Sequence, residues 1–133
     1  MYTQNKNFDS WNFLKKKLHK KNKLPYFHER EIWFCHLGVN VGFEQDGQSD
    51  QSLRPVIILR KFNSEICIII PLTKTLKNSI HYFIFSFNGR RSCAILSQMR
   101  LIDAKRLKYK TGDIDKVSFL KLKQKLKRLL ELE

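Results

Sequence analysis

The alternation of hydrophobic and polar positions divides the 133 residues into a helical beginning, a strand-rich middle and a helical end. Residues 1–7 are polar and are expected to fray. Trp11, Leu14 and Leu18 then recur at helical spacing, with Lys15, Lys16, Lys17, Lys20 and Lys21 around them, so the pattern predicts a basic amphipathic helix over residues 9–22. Asp9 is its expected N-cap, and Phe8 and Phe13 are placed to form a hydrophobic staple. Pro25 marks the junction to the body. Glu31 to Leu37 alternates, with Trp33 and Cys35 on one face and Ile32, Phe34 and His36 on the other, and reads as a first strand. Gly38 to Leu53 is a long polar loop of the kind that often carries function.

Val56 to Lys61 and Ile66 to Leu72 are continuous β-branched runs joined by Phe62-Asn63-Ser64-Glu65, as expected of central strands. His81 to Phe87 is a further strand dense in aromatics. Asn88-Gly89 supplies the two positive-φ positions of a type I′ turn, and Arg90 to Ser97 returns antiparallel. Residues 97–107 read as a turn with one or two short strands, closed by Thr111-Gly112-Asp113. Asp113 or Asp115 caps a final helix, in which Phe119, Leu122, Leu126 and Leu129 form an apolar seam and Lys121, Lys123, Lys125, Lys127 and Arg128 the other face. The fold class is therefore mainly β with helices: a small, curved antiparallel sheet or barrel with a C-terminal helix over one open side. Residues 1–28 read as a basic helical N-terminal extension and 29–133 as the barrel domain.

Charge adds a partner class to this picture. Lys and Arg number 26 against 12 acidic residues, a formal charge of +14. Most of the excess lies on the flanks: residues 1–28 and residues 104–133 each carry +6, and the middle only +2. Such a field favours a polyanion: nucleic acid, an anionic membrane face or an acidic protein. The lysines of the first helix read as a solvated face of a packed-on element, with an RNA-gripping arm second and a membrane-surface helix third. Cys35, Cys67 and Cys93 lie in separate apolar runs without CxxC spacing, so they read as buried reduced thiols of a cytoplasmic protein. The lysine-rich N-terminus does not resemble a signal peptide, and the longest apolar run, Ile66 to Leu72, is far too short to span a bilayer. GxGxxG, GKS or GKT, a Gly-x-Ser-x-Gly elbow and metal-ligand spacing are all missing. His36 reads as structural.

Candidate chemistry concentrates between Gly42 and Thr73. Glu44 is a loop carboxylate, Arg54 stands at the mouth of a strand and Thr73 at the end of the next, and the hairpin is expected to bring them together. A guanidinium and a hydroxyl suit a phosphodiester. Read from the residues alone, Arg54 before Pro55 reads first as an exposed surface arginine and Thr73 as a plain strand end, while Glu44 divides among a base, a loop-bracing acceptor and a solvated side chain. Lys74 and Lys77 directly follow Thr73 and could contact flanking phosphates, or be plain surface lysines. Gln98 and Arg100 read as bracing the barrel or binding RNA.

Five pieces, in order, resemble the MazF/PemK (Kid) family of toxins from type II toxin–antitoxin systems. Arg30-Glu31-Ile32-Trp33 resembles the opening strand, Gly42-Phe43-Glu44-Gln45 the G-x-E-Q loop, and Arg54-Pro55-Val56-Ile57 the R-P-x-[LV] strand start. Pro71-Leu72-Thr73 resembles the P-[LVI]-T strand end, and Ser97 to Asp103 with Lys105-Arg106-Leu107 the [DE]-Q-x-R-[TS]-[IL]-D-x-x-R-L segment. The resemblance covers about 30 to 133 and implies an SH3-like barrel working as a homodimer. It implies a sequence-specific, metal-independent endoribonuclease that cuts single-stranded RNA and is blocked by a small acidic antitoxin; no cofactor is implied. On that reading Arg54 and Thr73 are the catalytic pair, and Glu44 is the candidate base. The chain departs from the family pattern at Ser97, where many members carry Asp or Glu, and at Phe43, where plasmid-borne members often carry His. Its loop after Gln45 is also longer, and Asp46 and Asp50 add negative charge near the expected RNA path. The alternatives are a non-catalytic nucleic-acid-binding SH3-like module, in which Tyr82, Phe83, Phe85 and Phe87 could offer stacking surfaces, and a peptide-binding barrel.

Overall fold

The computed structural model describes residues 5–49 and 51–133. Seven strands carry the fold: β1 (Glu31–His36), β2 (Leu53–Lys61), β3 (Ile66–Thr73), β4 (Tyr82–Phe87), β5 (Arg90–Ile95), β6 (Arg100–Asp103) and β7 (Leu107–Asp113). Two helices flank them, α1 (Phe8–His19) and α2 (Lys116–Leu129). The strands lie in the order β4-β5-β3-β2-β1-β7, and β6 pairs with β3. All these pairings are antiparallel.

β3 is shared along its length. Ile66 to Ile69 pair with β6, whereas Leu72 and Thr73 pair with Ala94 and Cys93 of β5. A single 3₁₀ turn, Ala104–Arg106, joins β6 to β7. The two ends of the path β6-β3-β2-β1-β7 are therefore consecutive in sequence, and the sheet curls back on itself as the expected curved, SH3-like body.

Curling explains why the central strands are continuously apolar. Trp33, Cys35, Val56, Ile58, Cys67 and Ile69 face the inside of the curl, with Phe27, Leu37, Ile102 and Leu107. Ile32, Ile57, Ile70 and Leu72 face the opposite way, into a second core closed by Phe85, Ala94, Leu96, Phe119, Leu122 and Leu126. Each strand of the β1–β3 set thus has both faces covered, which removes the polar half of the usual alternation. The α2 seam packs on the body as its spacing predicts, and Asp115, not Asp113, is the N-cap, its Oδ2 accepting from the Ser118 amide at 2.9 Å. In the β4–β5 hairpin Asn88 and Gly89 have φ of 52° and 72°, the pair that a type I′ turn requires.

The N-terminal end departs from its expected form. α1 begins one residue earlier than predicted and ends at His19. Its N-cap is Asn7, whose Oδ1 accepts from the Ser10 amide at 3.0 Å, and not Asp9. With the cap at Asn7 the staple positions fall on Lys6 and Trp11, so Phe8 and Phe13 do not form one and are exposed. Lys6 and Asn7 are bonded rather than frayed; residues 1–4 lie outside the described residues, as does Asp50.

Cys35, Cys67 and Cys93 are free and buried. Burial pushes the Cys35 and Cys67 thiols up to about 12, which removes them as thiolate nucleophiles. Among the described residues no helix is long and apolar enough to cross a membrane.

Candidate active site

The β2–β3 register runs Val56 opposite Pro71 and Ile57 opposite Ile70, which puts the start of β2, with Arg54, beside the end of β3, with Thr73. Arg54 is buried, only 8 % exposed. Its Nη1 donates to the Leu72 carbonyl at 3.0 Å, and its Nε donates to the Asp46 carbonyl at 2.7 Å. One guanidinium thus ties the loop after β1 to the end of β3. Burial pulls its pKa below the ordinary value and the nearby Asp46 carboxylate opposes that shift; an arginine this basic remains charged. Among the described residues no carboxylate lies within ion-pair distance of it. A buried cation bonded to carbonyl dipoles alone is costly, and such groups concentrate at functional sites.

Thr73 is half-buried at the end of β3, and its Oγ1 accepts from the Thr75 amide at 3.2 Å. That bond fixes the oxygen and leaves the hydroxyl proton to donate elsewhere. Lys74 and Lys77 follow, both exposed. The Lys77 Nζ lies 5.4 Å from the centre of the Tyr82 ring.

Glu44 stands elsewhere in the loop. Its Oε1 accepts from the Val41 amide at 2.9 Å, while its own amide donates to the Val41 carbonyl. The carboxylate therefore closes a local turn. It also lines a cleft of about 260 Å³ with Asn40, Gln45, Ser97, Gln98, Met99 and Arg100. Arg54 is thus bonded to Leu72, the residue before Thr73, and Glu44 shares a cleft with Gln98 and Arg100, with Asp46 next in chain to Gln45 and bonded to Arg54. Gln98 braces the loop: its Nε2 donates to the Phe43 carbonyl at 3.1 Å and its Oε1 accepts from the Gln45 amide at 3.3 Å. Arg100 lies on the cleft wall at the start of β6. Phe43, at the loop tip beside Glu44, is 84 % exposed.

Asp46 does not add free negative charge to this face. Its carboxylate accepts from the Asn40 amide at 2.7 Å and pairs with Lys6 at 3.1 Å. Sequence reasoning missed this pairing, and no local signal could have found it: Lys6 is one lysine among many, 40 residues from its partner. In the sequence Arg106 reads only as part of the family pattern, with no role; its Nη1 donates to the His36 and Leu37 carbonyls, each at 3.2 Å, and its guanidinium stacks on Trp11. His36 is structural: its ring Nδ1 is 2.7 Å from the Gln51 carbonyl, so that nitrogen carries the proton. No group of three or more His, Cys, Asp or Glu among the described residues is placed to hold a metal ion.

Comparison with solved structures finds the same fold repeatedly. The Mycobacterium tuberculosis toxin MazF-mt6 is similar with a TM-score of 0.60 at 16% identity, covering 78% of this chain and 99% of that one. MazF from Deinococcus radiodurans gives 0.63 at 14%, with 84% and 100% covered. An endoribonuclease from a mycobacterial species, in complex with its cognate antitoxin, gives 0.62 at 12%, with 81% and 98% covered. No curated protein sequence matches the chain. Residues 28–130, most of the chain, match the family described as PemK-like, MazF-like toxin of type II toxin–antitoxin system, and the chain belongs to that family.

Proposed function

We propose that this protein is a toxin that cuts single-stranded RNA without a metal. The observation that carries the reading is the buried Arg54, charged and held by two carbonyls, one of them that of Leu72, the residue before Thr73. Solved structures of the same fold include endoribonucleases. The 2′-OH attacks the adjacent phosphorus, the bond from phosphorus to the 5′ oxygen breaks, the departing 5′ oxygen takes a proton from water, and a 2′,3′-cyclic phosphate and a 5′-OH end result. The Arg54 donors not committed to Asp46 and Leu72 would bind the non-bridging oxygens, where charge develops. Thr73 would donate to one of them. Glu44 would take the 2′-OH proton, and Lys74, Lys77 and Arg100 would hold neighbouring phosphates. The surplus positive charge would also suit the acidic tail of a small antitoxin, and a homodimer would present two such sites.

A second reading is a binding module that does not cleave. Two observations favour it: Glu44 is bonded within its own turn, and Ser97 occupies the cleft wall where an acid–base carboxylate would stand. Long single-stranded RNA incubated in EDTA separates the two. Discrete fragments with wild type that are lost with Arg54→Ala establish the nuclease. Tight, salt-sensitive binding without new ends establishes the module. Fragments that persist with Arg54→Ala sink the site assigned here.

A further inference from the structure

We infer that Lys6 is a positioning residue, the end of a strap by which the N-terminal segment holds the loop that carries Glu44 and braces Arg54. The inference rests on the site assigned above. The Lys6 ammonium is surrounded by the loop: it donates to the Asn40 carbonyl at 2.5 Å and the Gly42 carbonyl at 2.9 Å, and pairs with the Asp46 carboxylate at 3.1 Å. Its side chain is only 8 % exposed, rare for a lysine without a task. Three acceptors converging on one ammonium use all three of its donors. Without the cation, two carbonyl dipoles and a carboxylate would face one another and repel.

The strap is anchored behind Lys6. Asn7 caps α1, and one turn later Trp11 is buried against Gly38, the first residue of the same loop, with Arg106 on its ring. The far end of α1 is tied to the 3₁₀ turn before β7, where Lys105 Nζ donates to the His19 carbonyl at 3.0 Å. Force on Lys6 is therefore taken up by the helix and not by a free terminus. At its other end, Asp46 gives its carboxylate to Lys6 and its carbonyl to Arg54. Each covalent unit in this path, from Trp11 through Lys6 and Asp46 to Arg54, is followed by a short polar contact. A loop rich in glycine and polar side chains has little apolar surface with which to hold itself. The strap supplies order from outside the loop.

Two variants test this. Lys6→Met keeps the aliphatic stem and removes the charge; Trp11→Ala undocks the helix. Hydrogen exchange is read at the amides of Asn40, Val41, Glu44 and Gln45, all bonded within the loop or to Gln98. Both variants are expected to speed exchange there by about tenfold or more, the effect of losing a charged hydrogen bond, while β2 and β3 amides keep their rates. In RNA cleavage, Lys6→Met is expected to lower kcat with little change in KM, because the phosphate contacts remain but their geometry loosens. Unchanged loop exchange in Lys6→Met overturns the inference whether or not the protein cleaves RNA. Fast exchange in Lys6→Met but not in Trp11→Ala overturns the helix anchorage. A wild type that never cleaves, with exchange behaving as expected, removes the nuclease reading and keeps the strap.

Discussion

Arg54 is set by two carbonyls more than 25 residues apart in sequence, and only a forked, planar cation reaches both. A lysine at that place would keep the charge and lose the fork. Arg54→Lys is therefore expected to lower kcat by about a hundredfold or more, with RNA affinity falling much less; a variant within a few fold of wild type in kcat would show that the fork is dispensable. Glu31 is the buried carboxylate of the body. Burial alone would raise its pKa, but bonds from Trp33 Nε1, the His28 amide and Lys110 outweigh it and hold the carboxyl below the ordinary value. A depressed folded pKa gives stability that is present above about 4.5 and is lost as pH falls through the folded value. His36 acts in the same direction on a higher window. Burial pulls its pKa below 6.5, so protonation favours the unfolded chain once pH drops under 6.5. The melting temperature should fall from near pH 6.5 downward, and Glu31→Gln should flatten the part of that curve below about 4.5.

At the scale of elements, the most legible parts were those whose residues satisfy a local rule. The Asn88-Gly89 pair announced its hairpin because few residues accept two successive positive φ values, and the α2 seam announced its burial by spacing. β6 and β7 were less legible. β6 has four residues and only Ile102 buried, and β7 buries only Leu107 and meets β1 with register shifts, so neither shows an alternation long enough to read. The cap of α1 was misplaced because Asn7 and Asp9 both suit an N-cap, and tertiary contacts of Lys6 and Trp11 chose between them. Two substitutions probe element packing. Leu122, fully buried on the inner face of α2, should cost about 2–5 kcal/mol as Leu122→Ala, read from the urea midpoint. Gly38 has φ of +87°, and a Cβ there would lie 2.3 Å from the Trp11 ring. Gly38→Ala should therefore expel Trp11, shifting tryptophan emission to the red while the β body still melts cooperatively.

For the molecule as a whole, the sequence carried the family and the curved sheet, because the motif pieces and the two-faced strands are properties of single segments. The same motif pieces are what proposed Arg54 and Thr73 as the site. The hold on the loop was hidden, since Lys6 meets Asn40, Gly42 and Asp46 only after α1 has docked. Charge belongs to this scale too. If a +14 surface grips RNA through phosphates, the logarithm of affinity must fall linearly with the logarithm of salt. An affinity unchanged between about 50 and 200 mM salt would mean that the field is not what holds the ligand.

The pairing of Glu31 with Asp113 has a consequence for how the molecule comes into being. β1 lies near the start of the body and receives its second neighbour from β7, six strands later in sequence. Contacts of such separation close late and slow the search for the native state. On the ribosome, β2 and β3 can pair while β1 still has an open edge, and that edge stays open until β7 emerges. A chain halted before Leu107 would hold both Arg54 and Thr73 and still be unable to assemble the body that positions them. The segment through β7 must be made before the body can close around β1, a delay written into the topology.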